Sequence, residues 1–244
     1  VNSCRDTAQF YREQSLCGHH PNYEAILAAG YRKFLREGMV CADVGVSLGE
    51  HLRGMSAMVG PFGKVVGFEP IRKFAEMARR KSPLAEVHEV ALSWETPLEA
   101  RELHVHRENP GESGLRVREG REPDEVHQVR VSRLDDLWPG NRTLDYIKVD
   151  TEGHDLQVLL GAAEVIRWQR PMVSVEWSAA TYGLHGHNCM SLWNWAHLMG
   201  YRIGDLWGNI VEDRAEWLEV CDVSYWDYWL VPAERVDWWR GLWD

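Results

Sequence analysis

The sequence contains no apolar run of the roughly 18 residues that a membrane span needs. Its first residues, Val1 to Asp6, lack the basic-then-apolar order of a secretory signal, so the expected compartment is the cytoplasm. Cysteine is sparse and odd in number. Cys4, Cys17, Cys41, Cys189 and Cys221 are scattered and never spaced Cys-x-x-Cys. That argues against a disulfide framework or a closed zinc site and for a reducing compartment. Positive charge is also short: 27 Lys and Arg face 37 Asp and Glu, a formal net charge of −10. Such a balance opposes binding to a phosphate backbone. The one compact basic cluster, Arg79-Arg80-Lys81, falls where a helix should end and suits the negative pole of its dipole. Nucleic acid is not the expected partner, and no membrane span is expected. No internal repeat is visible.

What remains is ordinary for a globular protein, with 45% hydrophobic and 26% charged residues in a chain of 244. A chain this long can bury one large core without metal or disulfide. Tryptophan is the exception. Nine of its 13 copies fall between Trp193 and Trp243.

Residues 22–37 carry one apolar stripe of helical period, with Gly38 as the expected C-cap. A short buried strand is expected over 39–44, a helix over 50–59, a strand over 65–68, a helix over 72–81 and a third strand over 87–92. The rhythm resumes with strands over 144–149 and 172–176, a helix over 190–199, a strand from Tyr201 and a last aromatic strand over 225–231. About seven strands alternating with helices form a mostly parallel α/β sheet with helices on both faces. Residues 96–130 break the rhythm. They are polar and glycine-rich, and read as an exposed loop or hairpin, either an active-site lid or a solvated insertion.

The strongest local signal is Asp43-Val44-Gly45-Val46-Ser47-Leu48-Gly49, directly after the first strand. Two glycines four apart permit a tight turn and close backbone approach, and the next helix offers free N–H groups. The middle glycine of Gly-x-Gly-x-x-Gly is missing, and no Gly-Lys-Ser/Thr follows. Glu69 ends the second strand, with Pro70 stopping it, about where an acid binds a ribose diol. Turn and acid together suggest a nucleoside-containing cofactor. Asp43 would repel a pyrophosphate but favour an ammonium and a sulfonium, which tips the choice from NAD towards S-adenosylmethionine.

A second block runs Asp145-Tyr146-Ile147-Lys148-Val149-Asp150-Thr151-Glu152-Gly153-His154-Asp155. In an extended strand Lys148 and Asp150 share a face, and Glu152 continues it towards the sheet edge. A carboxylate pair beside a lysine is costly to bury, so a site is the better reading for Asp150 and Glu152. Asp155 falls in a first helical turn, where it also simply caps. Glu176 ends the next strand and either contacts substrate or pairs with Lys148.

The pieces ADVGVSLGEH, VVGFEP, EVALS, VSRLDDL, DYIKVDTEGHDLQVLLGA, PMVSVEWS and YWLVPAE, in this order from Val40 to Pro232, resemble the FkbM family of S-adenosylmethionine-dependent methyltransferases. The resemblance implies a class I methyltransferase (Rossmann-like) fold with seven strands, the last antiparallel, and methyl transfer commonly to oxygen. By position, Asp43, Gly45 and Gly49 would hold the methionine part of the cofactor and Glu69 the ribose, next to Pro70. Ala91 and Leu92 would flank the adenine, with Ser93 as a hydrogen-bond partner. Asp150 and Glu152 would face the transferring methyl and a small hydroxylated acceptor such as a sugar or natural product. Ser47 departs from the asparagine usual in the family. The chain then divides into a helical cap over 1–38 and a methyltransferase domain over 39–244, with an insertion near 96–130 and a Trp-rich C-terminal extension.

The histidines allow several roles. Glu152 is the first choice to orient or deprotonate the acceptor, with His154 and His185 as the alternative bases near neutral pH; His154 is equally a surface cap. His185 and His187, with Cys189, form a substrate-side loop, a plain polar loop or a metal site, although no partner spacing supplies the remaining ligands, and no metal is expected. His104 and His106 are expected to be exposed. Trp193, Trp195, Trp217, Trp226, Trp229, Trp238, Trp239 and Trp243 pack the core, an edge or a homo-oligomer interface, or line an aromatic acceptor pocket. The rival functions are a non-catalytic S-adenosylmethionine-binding protein and an NAD-dependent oxidoreductase. Retention of Asp43, Glu69, Asp150 and Glu152 favours an enzyme.

Overall fold

The computed structural model describes residues 3–95, 100–106, 113–117 and 122–244. The chain opens with helices α1 (Cys4–Leu16) and α2 (Tyr23–Phe34). It then alternates β1 (Val40–Val44), α3 (Glu50–Val59), β2 (Lys64–Phe68), α4 (Arg72–Lys81) and β3 (Glu86–His88). Four short strands follow, β4 (Ala91–Leu92), β5 (Arg101–Val105), β6 (Glu125–Val129) and β7 (Val131–Ser132), before the one-turn helix α5 (Leu134–Leu137). The alternation resumes with β8 (Tyr146–Val149), α6 (Asp155–Gly161), α7 (Ala163–Gln169), β9 (Met172–Glu176) and α8 (Ala179–Tyr182). Helix α9 (Cys189–Leu198), β10 (Tyr201–Gly204), α10 (Arg214–Val220), β11 (Asp227–Pro232) and α11 (Val236–Arg240) complete it.

Seven strands form one sheet in the order β10-β11-β9-β8-β1-β2-β3. All pairings are parallel except those of β11, which runs antiparallel to both β9 and β10. This is the Rossmann-like class I methyltransferase architecture. The strand order reverses between β1 and β8, and open α/β sheets bind ligands beyond the C-terminal ends of the strands at such a point. Every residue of β8 is buried, as expected for a central strand covered on both faces.

Two elements depart from the sequence expectation, and the irregular stretch takes the second of its two expected forms. The expected strand over 87–92 is split: β3 ends at His88, and β4 leaves the main sheet to pair with β7. As an edge strand β3 has one neighbour only, and Ala91 N–H finds its acceptor in the Arg130 carbonyl at 2.9 Å. Helix α2 stops at Phe34 rather than at Gly38, because the fully buried Leu35 takes an extended conformation into the core. The irregular stretch contains a hairpin in which β5 pairs antiparallel with β6. Leu103, Val105 and Val129 of that hairpin pack on Ile71, Phe74 and Ala91 as a small separate core. His106, expected on the surface, is buried there at 8% exposure.

The C-terminal tryptophans divide. Trp217, Trp229 and Trp239 are completely buried, whereas Trp226 and Trp238 are exposed. Trp239 also donates its indole N–H to the Gly208 carbonyl at 3.0 Å, fixing α11 to the body.

Candidate active site

A cavity of about 510 Å³ lies at the switch point, walled by the turn after β1, the ends of β2, β8, β9 and β11, and the β5–β6 hairpin. Gly45, Ser47, Gly49, Glu69, Pro70, Ala91, Leu92, Asp150, Glu152 and His154 all line it. Gly45 has φ +82°, and a Cβ there would lie 1.7 Å from the Asp150 carbonyl oxygen. Only glycine lets β1 and β8 approach this closely. Ser47 is also left-handed, at φ +48°. That strained position is where asparagine fits better than serine, which gives the family preference a physical reason.

The turn is clamped by Glu69, which is 4% exposed. Its Oε2 accepts the Ser47 N–H at 2.8 Å and its Oε1 the Ile71 N–H at 2.9 Å. Burial pushes its carboxyl up to about 7 against those two hydrogen bonds. Each oxygen keeps lone-pair capacity for a further donor.

Two expected cofactor contacts are placed differently. Asp43 lies beneath the turn, 1% exposed and outside the cavity wall, and neither of its oxygens accepts a hydrogen bond. It stands opposite Lys148 in the β1–β8 register, and burial raises its carboxyl while Lys148 opposes the rise. Ser93 does not line the cavity. Its hydroxyl lies 3.0 Å from His154 Nε2 instead.

After β8 the chain does not stay extended. Glu152 and Gly153 are left-handed, at φ +55° and +92°, and turn the chain back. The cause lies three residues beyond Glu152. Asp155, wholly buried, accepts the Thr151 N–H at 2.9 Å and the Thr151 hydroxyl at 3.1 Å on Oδ1, and the Gly153 N–H at 2.9 Å on Oδ2. It therefore ties the turn, and burial with the nearby Asp150 pushes it up to about 7. The turn carries Glu152 back towards its neighbours: carboxylate oxygens of Asp150, Glu152 and Glu176 lie within 4.8 Å of one another. Lys148, 3% exposed, donates to Asp150 Oδ2 at 2.8 Å. Glu176 is not its ion-pair partner among the described residues, and Glu176 Oε2 is buried without a hydrogen bond.

The histidines come together but not as a base tuned to neutral pH. His154 Nδ1 lies 3.3 Å from His185 Nδ1, with the rings edge to face. Burial, then mutual repulsion, pushes His154 down to about 3; burial and Arg116 push His185 down to about 4. Both are neutral at pH 7, and His185 stays outside the cavity. His187 lies 2.7 Å from the Gln157 side-chain amide, and the described residues gather no metal-type group around His185, His187 and Cys189.

Other lining residues escaped the sequence reading. Leu103, Ser113, Gly114 and Leu115 make the hairpin part of the wall. Asp227, 7% exposed, faces the cavity from β11 and sits opposite Glu176 in register. Its signal was a carboxylate inside the aromatic strand YWDYWLV. Seven carboxylates line the cavity against one lysine among the described residues.

Residues 43–203 match the Methyltransferase FkbM domain. No curated protein matches the chain. Among solved structures, a methyltransferase FkbM from Methylobacillus flagellatus KT is 19% identical, with a TM-score of 0.49 over 81% of this chain. The chain spans only 45% of that protein's length. A TehB-like SAM-dependent methyltransferase from Corynebacterium glutamicum is 11% identical, with a TM-score of 0.46 over 94% of this chain and 97% of that one. A SAM-dependent methyltransferase from Aquifex aeolicus is 18% identical, with a TM-score of 0.44 over 86% and 87%. The domain match takes in the glycine turn, Glu69, the hairpin and the turn from Asp150 to His154; the chain belongs to the FkbM family of S-adenosylmethionine-dependent methyltransferases.

Proposed function

We propose that the chain transfers a methyl group from S-adenosylmethionine to a hydroxyl oxygen of a small molecule. The observation that carries this reading is Glu69, held by two backbone N–H groups at the cavity wall with lone pairs to spare. A ribose diol supplies the two donors such a carboxylate lacks. The apolar side chains of Ile71, Ala91 and Leu92 beside it suit a flat base. The acidic excess of the lining favours a sulfonium and an ammonium group and repels a pyrophosphate. That excess, and a glycine turn whose Ser47 N–H is already given to Glu69, count against a nicotinamide cofactor. When bound, S-adenosylmethionine supplies an electrophilic methyl group on sulfur.

The protein's own part is to orient the acceptor and receive its proton. Glu152 is the residue for this, because the left-handed turn sets it on the cavity wall beside Asp150. His154, neutral and tied to Ser93 and His185, shapes the wall. Asp43 acts on Lys148 through charge, and Lys148 in turn steadies Asp150. The test is a screen of hydroxylated sugars and natural products for a cofactor-dependent mass gain of one methyl group. With an acceptor in hand, Glu152→Gln is expected to keep S-adenosylhomocysteine affinity and to lose about 100-fold or more in turnover. Wild-type turnover by that variant would remove Glu152 from the chemistry.

A further inference from the structure

We propose that the corner formed by Asp150, Glu152 and Glu176 is a divalent-cation site for an ion of the Mg²⁺, Mn²⁺ or Ca²⁺ class. The three carboxylates present oxygens within 4.8 Å of one another. Oxygens bound to one ion at about 2.0–2.6 Å lie at most about 5 Å apart, so they can share an ion with little side-chain movement. The donor set is oxygen only, which selects hard cations over zinc or copper.

Two observations outside the cluster geometry point to a missing cation. Glu176 Oε2 is buried and accepts no hydrogen bond. Asp227, 7% exposed and opposite Glu176 in the β9–β11 register, lines the same cavity and accepts no hydrogen bond among the described residues. The ammonium of Lys148 is spent on Asp150. Buried carboxylates are retained where they are paired or hold a metal, and among the described residues no cation pairs with Glu176 or Asp227. Asp227 is then a fourth acid on the wall of the same cavity.

The site extends the methyl-transfer reading. An ion here would bind the acceptor oxygen directly and lower its pKa. That role rests on the proposed function, whereas ion binding itself does not.

The experiment is a titration of the full-length chain, stripped with EDTA, with MnCl₂, read by the paramagnetic resonance signal of free Mn²⁺. Mg²⁺ and Ca²⁺ serve as competitors, and S-adenosylhomocysteine affinity is measured in parallel. The expected result is one Mn²⁺ per chain with a dissociation constant below about 1 mM. Glu176→Gln and Asp227→Asn, each checked for a cooperative melting transition, should weaken it at least tenfold. Glu50→Gln, an acid of the same cavity outside the corner, should not. Absence of Mn²⁺ uptake by protein that binds S-adenosylhomocysteine would overturn the site and leave the cofactor reading standing. Equal weakening by Glu50→Gln would also overturn it, since diffuse attraction would then account for the binding. Mn²⁺ uptake without S-adenosylhomocysteine binding would support the site and sink the cofactor reading instead.

Discussion

Replacing Glu69 by alanine tests the cofactor assignment most directly. The carboxylate is 4% exposed and already accepts the N–H groups of Ser47 and Ile71. A hydrogen bond to a charged acceptor contributes about 1.5–3 kcal/mol, so losing one ribose hydroxyl should weaken S-adenosylhomocysteine binding about 10- to 150-fold. Alanine also strands two backbone donors and loosens a turn that holds Ser47 in a left-handed conformation. That second effect lowers affinity for any ligand of the turn, so the single variant is ambiguous. A cycle resolves it: wild type and Glu69→Ala are titrated calorimetrically with S-adenosylhomocysteine and with its 2′,3′-dideoxy analogue. A coupling of about 1.5–3 kcal/mol is expected between the residue and the diol. A coupling near zero would refute ribose recognition and leave Glu69 as a clamp on the turn. Acidity gives an independent arm. The carboxyl sits up at about 7 in the free protein, and the diol donates best to its ionised form. Wild-type affinity should therefore rise as pH increases through 7 and fall by up to tenfold per unit below it. Asp155 also lies up at about 7, but it is common to both proteins, so the difference between them isolates Glu69.

Three further outcomes follow from packing and charge. Lys148→Met leaves Asp43 and Asp150 without their buried counterion, and should cost about 3–5 kcal/mol, read as a fall in melting temperature of the order of 10 °C. An unchanged melting point would show that the ion pair does not stabilise the fold. Ser47→Asn relieves a left-handed serine and should gain up to about 1 kcal/mol in urea unfolding; a loss would mean that the serine hydroxyl has a partner worth more than the strain. Truncation after Val236 removes the fully buried Trp239 and its bond to Gly208, a loss of about 3–5 kcal/mol, and a tail-free chain with native stability would show that α11 is dispensable.

Signals confined to a few neighbouring residues were readable in the sequence. The alternation of β1, α3, β2 and α4 follows from apolar period and turn residues alone, and so does the glycine turn that places Glu69 beside Ser47. What could not be read depends on partners distant in sequence. Nothing within residues 87–92 announces that Ala91 will pair with Val131, and the strand divides because that partner exists. The aromatic run around Asp227 reads as plain core until β11 is set against β9, which brings Asp227 opposite Glu176.

The turn after β8 differs from the extended case although its cause is local. Alternation predicts that Glu152 continues the face of Asp150, and a strand that stayed extended would have obeyed. Asp155 lies in the first turn of α6, as the sequence predicts, and both of its oxygens point backwards, to Thr151 and Gly153. A buried carboxylate that gathers three donors from the preceding turn outweighs the preference of Glu152 for a right-handed backbone, a strain of about 1–3 kcal/mol. The adjoining Gly153 fits because a Cβ there would come within 2.5 Å of the Thr181 backbone. The consequence is chemical rather than architectural. An extended Glu152 would run on past Asp150 along the line of the strand; the turned one is held near both Asp150 and Glu176. Asp155 is thus the residue that assembles the acidic corner without touching a ligand itself.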